Sequence, residues 1–228
     1  MSLQEFLPTP KFDEYREFFA DFFTMSRRDD GVLLVKAHTA GGPVQLSVQN
    51  HRALGQMLKV VGADPDNEIL TMCDITIAAQ DAVLFDLHYD IGSVPADGIH
   101  NAFQELLGTK RAAYALLTGE AIDARKALEY GLVNEVVPED ELIARGFAIA
   151  DHIMTQPRTI RRLTTQIVRR PWKRRVTDDL DGGFGIQMFG HVASRHAVHG
   201  GEHVRSTVDY VREGRKNNFD GRGKPGDA

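Results

Sequence analysis

The chain has 228 residues, 42% hydrophobic and 26% charged, enough apolar content to bury a sizeable core and too much for a chain disordered throughout. A formal charge of −5 gives no global attraction to nucleic acid, and no apolar run approaches the roughly 20 residues of a membrane span. One cysteine, Cys73, excludes an intramolecular disulfide framework and a multi-cysteine zinc site. Met1-Ser-Leu-Gln-Glu-Phe6 lacks the basic and apolar regions of a secretion signal, so a reducing cytoplasm is the expected location.

Phe12, Tyr15, Phe18, Phe19, Phe22 and Phe23 predict a short helix running into a strand. Asp29-Asp30-Gly31 is a hairpin turn ahead of the apolar run Val32-Leu-Leu-Val35, so two antiparallel strands are expected over 22–38. Ser47 is a candidate cap for a helix whose apolar face carries Leu54, Met57, Leu58 and Val61, ending near Gly62. Ile75 to Ala79 reads as a buried strand. From Ile99 the chain reads as mostly helical, interrupted by a β-branched, strand-like stretch over Gly131-Leu-Val-Asn-Glu-Val-Val137. Asp178-Asp179-Leu180 suits a helix start for residues 178–213. Gly221-Arg-Gly-Lys-Pro-Gly-Asp-Ala228 has too little apolar surface to order itself, and 216–228 reads as a flexible tail.

Three phrases stand in order along about a third of the chain: Cys73-Asp-Ile-Thr-Ile-Ala-Ala-Gln-Asp-Ala82, Ile91-Gly-Ser-Val-Pro-Ala-Asp-Gly98 and Leu117-Thr-Gly-Glu-Ala-Ile-Asp-Ala-Arg-Lys-Ala-Leu-Glu-Tyr-Gly-Leu-Val-Asn-Glu-Val-Val-Pro138. Together they resemble the crotonase (enoyl-CoA hydratase/isomerase) superfamily. The resemblance implies an α/β fold, with a crotonase-like β-sheet core over 1–155 and a helical C-terminal oligomerisation region over 156–215. It also implies a homo-oligomer, a trimer or a dimer of trimers, whose partner besides its own copies is a small-molecule substrate rather than nucleic acid or a membrane.

The family pattern is interrupted near 70–71. Ala63-Asp-Pro-Asp-Asn-Glu-Ile-Leu70 looks like the lead into one family strand, whereas Thr71-Met-Cys73 already resembles the lead into a later one. Several dozen residues of the pattern are missing between them, including two glycine-rich turns that supply, in the family, a backbone N–H pair for the developing oxyanion. Such a donor is often worth about 2.7–4 kcal/mol. A real internal deletion, an omitted segment and a rebuilt site are the three explanations.

His88 stands four residues before the glycine of Gly92-Ser-Val-Pro95, where enoyl-CoA hydratases carry a catalytic glutamate. With Asp97 it instead resembles the 6-oxocamphor hydrolase branch, which cleaves a carbon–carbon bond in β-diketones without coenzyme A. A histidine titrating near neutrality can take a proton from water and return it to a departing enolate, while a carboxylate fixes its tautomer and stabilises the imidazolium. No cofactor is required. The bland alternative is a loop histidine and an Asp hydrogen-bonding its own turn. His51 matches a histidine lining that branch's site, and competes with the reading of a polar residue on an exposed helix face. Leu46 stands where the branch has a substrate-contacting tryptophan, and Gln187 where it has an active-site glutamate. These three are the candidate substrate-binding positions, and the last two departures imply a different substrate. His38 is a weaker candidate.

Other features have ordinary readings. Arg169-Arg-Pro-Trp-Lys-Arg-Arg175 could hold a phosphate or simply face water at a helix junction, as charge runs usually do. His191, His196, His199 and His203 are close in sequence, but Gly200-Gly201 disfavours a rigid helix and no metalloprotease glutamate is present, so no metal is expected. Glu120 and Asp123 read as capping residues, and Cys73 as a small buried apolar residue. The leading expectation is hydrolytic C–C cleavage of a β-diketone-like substrate. Its alternatives are a hydratase or isomerase acting on a coenzyme A thioester, and a catalytically silent crotonase-like scaffold.

Overall fold

The computed structural model describes residues 9–44, 47–67, 74–89 and 92–194. Leu46, Cys73, the 70–71 interruption, His196, His199, His203 and the 216–228 tail lie outside them. The chain divides into two compact units, Met1–Met72 with Ala150–Arg158, and Cys73–Ile149 with Thr159–Ala228.

In the first unit, helix α1 (Phe12–Phe18) leads into strand β1 (Phe23–Arg27), which pairs antiparallel with β2 (Leu33–Ala37), Met25 opposite Val35. The expected hairpin forms, with Arg28 N–H donating to the Val32 carbonyl across the turn at 2.9 Å. Helix α2 (Val48–Ala63) starts at Ser47, whose hydroxyl accepts the Asn50 N–H while the Asn50 side chain accepts the Ser47 N–H. This reciprocal bonding satisfies two amides that the helix itself cannot. Of the expected inner face, Met57 and Val61 are buried and Leu58 packs against the same core, whereas Leu54 is exposed and its neighbour Ala53 is buried instead. The helix ends at Ala63, next to Gly62 as expected, with extended Asp64 as its C-cap.

Tyr15, Phe19, Phe23 and Met25 close the core against that face. Each large apolar side chain so buried contributes about 1.5–3 kcal/mol. Beneath them Asp64 accepts hydrogen bonds from Tyr15 Oη at 2.7 Å and Arg27 at 2.8 Å. Burial, together with the Asp64 carboxylate, pushes the Tyr15 hydroxyl up to about 12.

The second unit begins with strands β3 (Ile77–Ala79) and β4 (Val83–Leu84) and reaches helix α3 (Ile99–Thr118) through a loop. Only Ala78 of β3 is fully buried, and Ile75 is exposed outside the strand, contrary to expectation. Helix α3 bends at Gly108, whose φ of 73° is a left-handed conformation open to glycine. The bend lets Phe103 and Leu107 on one half, and Ala112, Ala115 and Leu116 on the other, enter one core. Strand β5 (Ile122–Asp123) pairs antiparallel with β4, helix α4 (Ala124–Tyr130) follows, and β6 (Glu135–Val137) pairs parallel with β3. Asp123 caps α4 by accepting the Lys126 N–H at 2.7 Å, and Glu120 pairs with the Lys126 ammonium at 2.5 Å. Asp123 is thus the expected cap, whereas Glu120, expected to cap as well, instead forms an ion pair with a first-turn side chain.

Helices α5 (Leu142–Met154), α6 (Arg158–Val168) and α7 (Arg170–Ser194) complete the described chain. Helix α7 starts eight residues before Asp178, because Pro171 in its first turn lacks only an N–H that would be unpaired there. The cationic run is indeed the α6–α7 junction. Arg169 grips Asp74 through Nε at 2.8 Å and Nη2 at 2.5 Å, and Arg175 contacts Asp179 at 2.8 Å and Gln104. Two of its cations are therefore committed within the protein. The architecture is mixed α/β followed by helices.

Candidate active site

The loop between β4 and α3 carries Asp86, His88, Ser93 and Asp97 within twelve positions of one another. Its curvature is fixed by backbone bonds: the Ser93 N–H donates to the His88 carbonyl at 2.8 Å, and the Gly92 N–H to Tyr89 at 3.2 Å. These bonds return the chain past His88, so that Asp97 comes back to the imidazole.

His88 lies between two carboxylates. Its Nδ1 is 2.8 Å from Asp86 Oδ2, and its Nε2 is 3.2 Å from Asp97 Oδ2. Asp86 also accepts the His88 backbone N–H on Oδ1 at 3.1 Å. The side chains are 5% exposed for Asp86, 25% for His88 and 41% for Asp97, so the triplet runs from the interior to solvent. The hydrogen bond to Asp86 holds the imidazole's proton affinity above the ordinary histidine range; burial opposes this, and the charges of Asp86 and Asp97 reinforce it. A group so placed can accept a proton near neutrality and keep the resulting charge balanced.

Helix α7 backs this loop with one face. Gly183, Gln187, Gly190 and His191 recur at helical spacing. His191 Nε2 is 2.7 Å from Ser93 Oγ, and Gln187 Nε2 donates to the same oxygen at 3.4 Å. Gly183 faces the His100 ring and the Ala96 carbonyl, and Gly190 faces Val94, approaches that leave little room for a side chain. Gln187 is buried, and its Oε1 has no hydrogen-bond partner among the described residues.

The candidate residues are distributed unevenly. His88 and Asp97 come together directly, and Gln187 lies against Ser93 in the same unit. His51 is exposed on α2 in the other unit, and the His38 ring accepts the Gly41 N–H at 3.3 Å within its own turn. Sequence reasoning missed Asp86 and the Ser93–His191 contact. An Asp two residues before a loop histidine is a local signal for the first; nothing local marks a pair 98 residues apart. Among the described residues, no cluster of three or more metal-ligating side chains occurs.

A family profile described as enoyl-CoA hydratase/isomerase matches residues 66–222. A probable enoyl-CoA hydratase from Mycobacterium leprae is 31% identical over 113 residues, which make up 50% of this chain and 44% of that protein. The chain thus spans less than half the length of that relative. Among solved structures, a beta-diketone hydrolase from the cyanobacterium Anabaena sp. PCC 7120, bound to (S)-3-oxocyclohexyl acetic acid, is similar with a TM-score of 0.65. Its identity is 22%, over 78% of this chain and 98% of that one. An enoyl-CoA hydratase from Mycobacterium paratuberculosis gives a TM-score of 0.69 at 18% identity, over 77% of this chain and 100% of that one. At such identities the likeness is one of fold. Because the profile match covers most of the chain, including the loop that carries His88 and Asp97, the chain belongs to the enoyl-CoA hydratase/isomerase family of the crotonase superfamily.

Proposed function

We propose that the chain is a crotonase-superfamily enzyme that hydrolyses a carbon–carbon bond in a β-diketone-like substrate. The observation that carries this reading is the imidazole of His88, with Asp97 3.2 Å from Nε2, at a position where a hydratase would carry glutamate. Neutral His88 takes a proton from water at Nε2 as the water oxygen adds to one carbonyl carbon. Collapse of the tetrahedral adduct breaks the bond to the carbon between the two carbonyls. The electron pair passes into the enolate of the second carbonyl, and the imidazolium returns its proton to that carbon. One carboxylate and one ketone result, joined in a single keto acid when the diketone is cyclic. This sequence needs no metal or organic cofactor. Gln187, buried against Ser93 in the same unit as His88, is the position expected to line the substrate under this reading.

The names of the curated relatives support a second reading, hydration or isomerisation of an acyl-CoA thioester. The two differ in a simple assay. A cyclic 1,3-diketone incubated with the purified chain in 18O-water is expected to yield a keto acid carrying one 18O, with no turnover of crotonyl-CoA. Hydration of crotonyl-CoA without diketone cleavage would overturn the reading in favour of the thioester. Inertness to both would favour the scaffold.

A homo-oligomer in a cytoplasmic setting belongs to the same proposal. Phe184, Ile186, Phe189 and Val192 of α7, and Ile160, Leu163 and Ile167 of α6, are exposed. Apolar side chains grouped in this way mark association surfaces.

A further inference from the structure

We infer that Asp86 is the positioning carboxylate of the site: it grips His88 from the buried side and leaves Nε2 as the nitrogen that exchanges protons. The inference rests on the acid–base reading of His88 given above. Sequence reasoning gave the tautomer-fixing role to Asp97, but the geometry divides the work between two carboxylates.

Three observations carry it. Asp86 contacts His88 twice, accepting the backbone N–H at 3.1 Å and lying 2.8 Å from Nδ1, so side chain and backbone are referenced to one rigid group. Its side chain is 5% exposed against 41% for Asp97, and a buried carboxylate is costly unless it is paired and hydrogen-bonded. Finally, Asp97 stands at the opposite nitrogen, at the longer distance of 3.2 Å.

The chemical consequence concerns the proton. With Nδ1–H donated to Asp86, the neutral imidazole presents its lone pair at Nε2, the state a general base requires. When Nε2 takes a proton, both nitrogens become donors and each meets a carboxylate. Among the described residues, the charged groups facing the ring are Asp86 and Asp97, one on each side. Asp97, half open to solvent, is then placed to hold the proton-bearing nitrogen or to hand its proton onward. Asp86 does not touch reacting atoms and acts only through His88.

The test is a histidine 15N NMR titration of the whole chain, run on wild type, Asp86→Asn and Asp97→Asn, beside the pH profile of diketone hydrolysis. In wild type, neutral His88 is expected to keep its proton on Nδ1. In Asp86→Asn, His88 is expected to titrate at lower pH than in Asp97→Asn, and kcat to fall at least about 10-fold with the basic-form inflection moving down in step. A neutral His88 carrying its proton on Nε2, or a titration unmoved by Asp86→Asn, would overturn the inference. The wild-type tautomer decides the matter even if Asp86→Asn fails to fold. Because the NMR arm needs no substrate, a failure of the diketone reading shows only in the activity arm.

Discussion

His88 gains its proton affinity from the folded state. In an unfolded chain the Asp86 hydrogen bond is lost, so the folded protein holds the imidazole proton more tightly than the unfolded one. The stability so contributed is fully present below the unfolded histidine range and is lost as pH rises through the raised folded value. Urea midpoints of wild type and His88→Gln are accordingly expected to differ most on the acid side of that window and to converge above it. A gap constant across the window would show that the imidazole is not held as described. His88 and Asp97 were legible because they sit inside a short phrase with fixed offsets. Asp86 was not, since a carboxylate in a loop has no periodicity to betray which way it turns. The pairing of Ser93 with His191 depends on the packing of α7, which no local pattern encodes.

At the scale of elements, helix α7 is built around the close approach of its glycines. A Cβ at Gly183 would lie 2.9 Å from His100 Nε2 and 3.2 Å from the Ala96 carbonyl, and a backbone oxygen cannot move aside as a flexible side chain can. Gly183→Ala is therefore expected to destabilise by about 1–3 kcal/mol through overpacking. Gly185, two positions along, faces nothing within 4 Å, so Gly185→Ala is expected to stabilise by roughly 0.5–1 kcal/mol as a better helix former. Thermal unfolding of the two variants measures both signs. The hairpin and the start of α2 were readable because Asp29-Asp30-Gly31 and Ser47 carry their structural instruction within a few residues. The start of α7 was misread because Asp178-Asp179 imitates a first turn, whereas these acids lie inside the helix, with Asp179 paired to Arg175. On α2, Met57, Leu58 and Val61 meet the core as their spacing predicts, and Leu54 alone departs, exposed while its neighbour Ala53 is buried.

Across the whole chain, family and fold class were legible in the ordered phrases between 73 and 138, and the profile match agrees with them. Assembly is a separate matter, argued from exposed apolar side chains on α6 and α7. Light scattering on the purified chain is expected to give a multiple of 25.4 kDa, with three or six copies; a monomer at micromolar concentration would contradict it. Charged substitutions at Phe189 and Val192, both highly exposed, are expected to lower that mass without unfolding the chain. Under the proposed function, His88 performs the acid–base chemistry of a carbon–carbon hydrolase. That role is tested most directly by kcat for cleavage of a cyclic 1,3-diketone by wild type and His88→Ala, each shown folded by circular dichroism. Measurable wild-type turnover and a loss of at least about 100-fold in the variant, the scale of general acid–base assistance, are expected. Equal turnover by the two proteins would contradict that role.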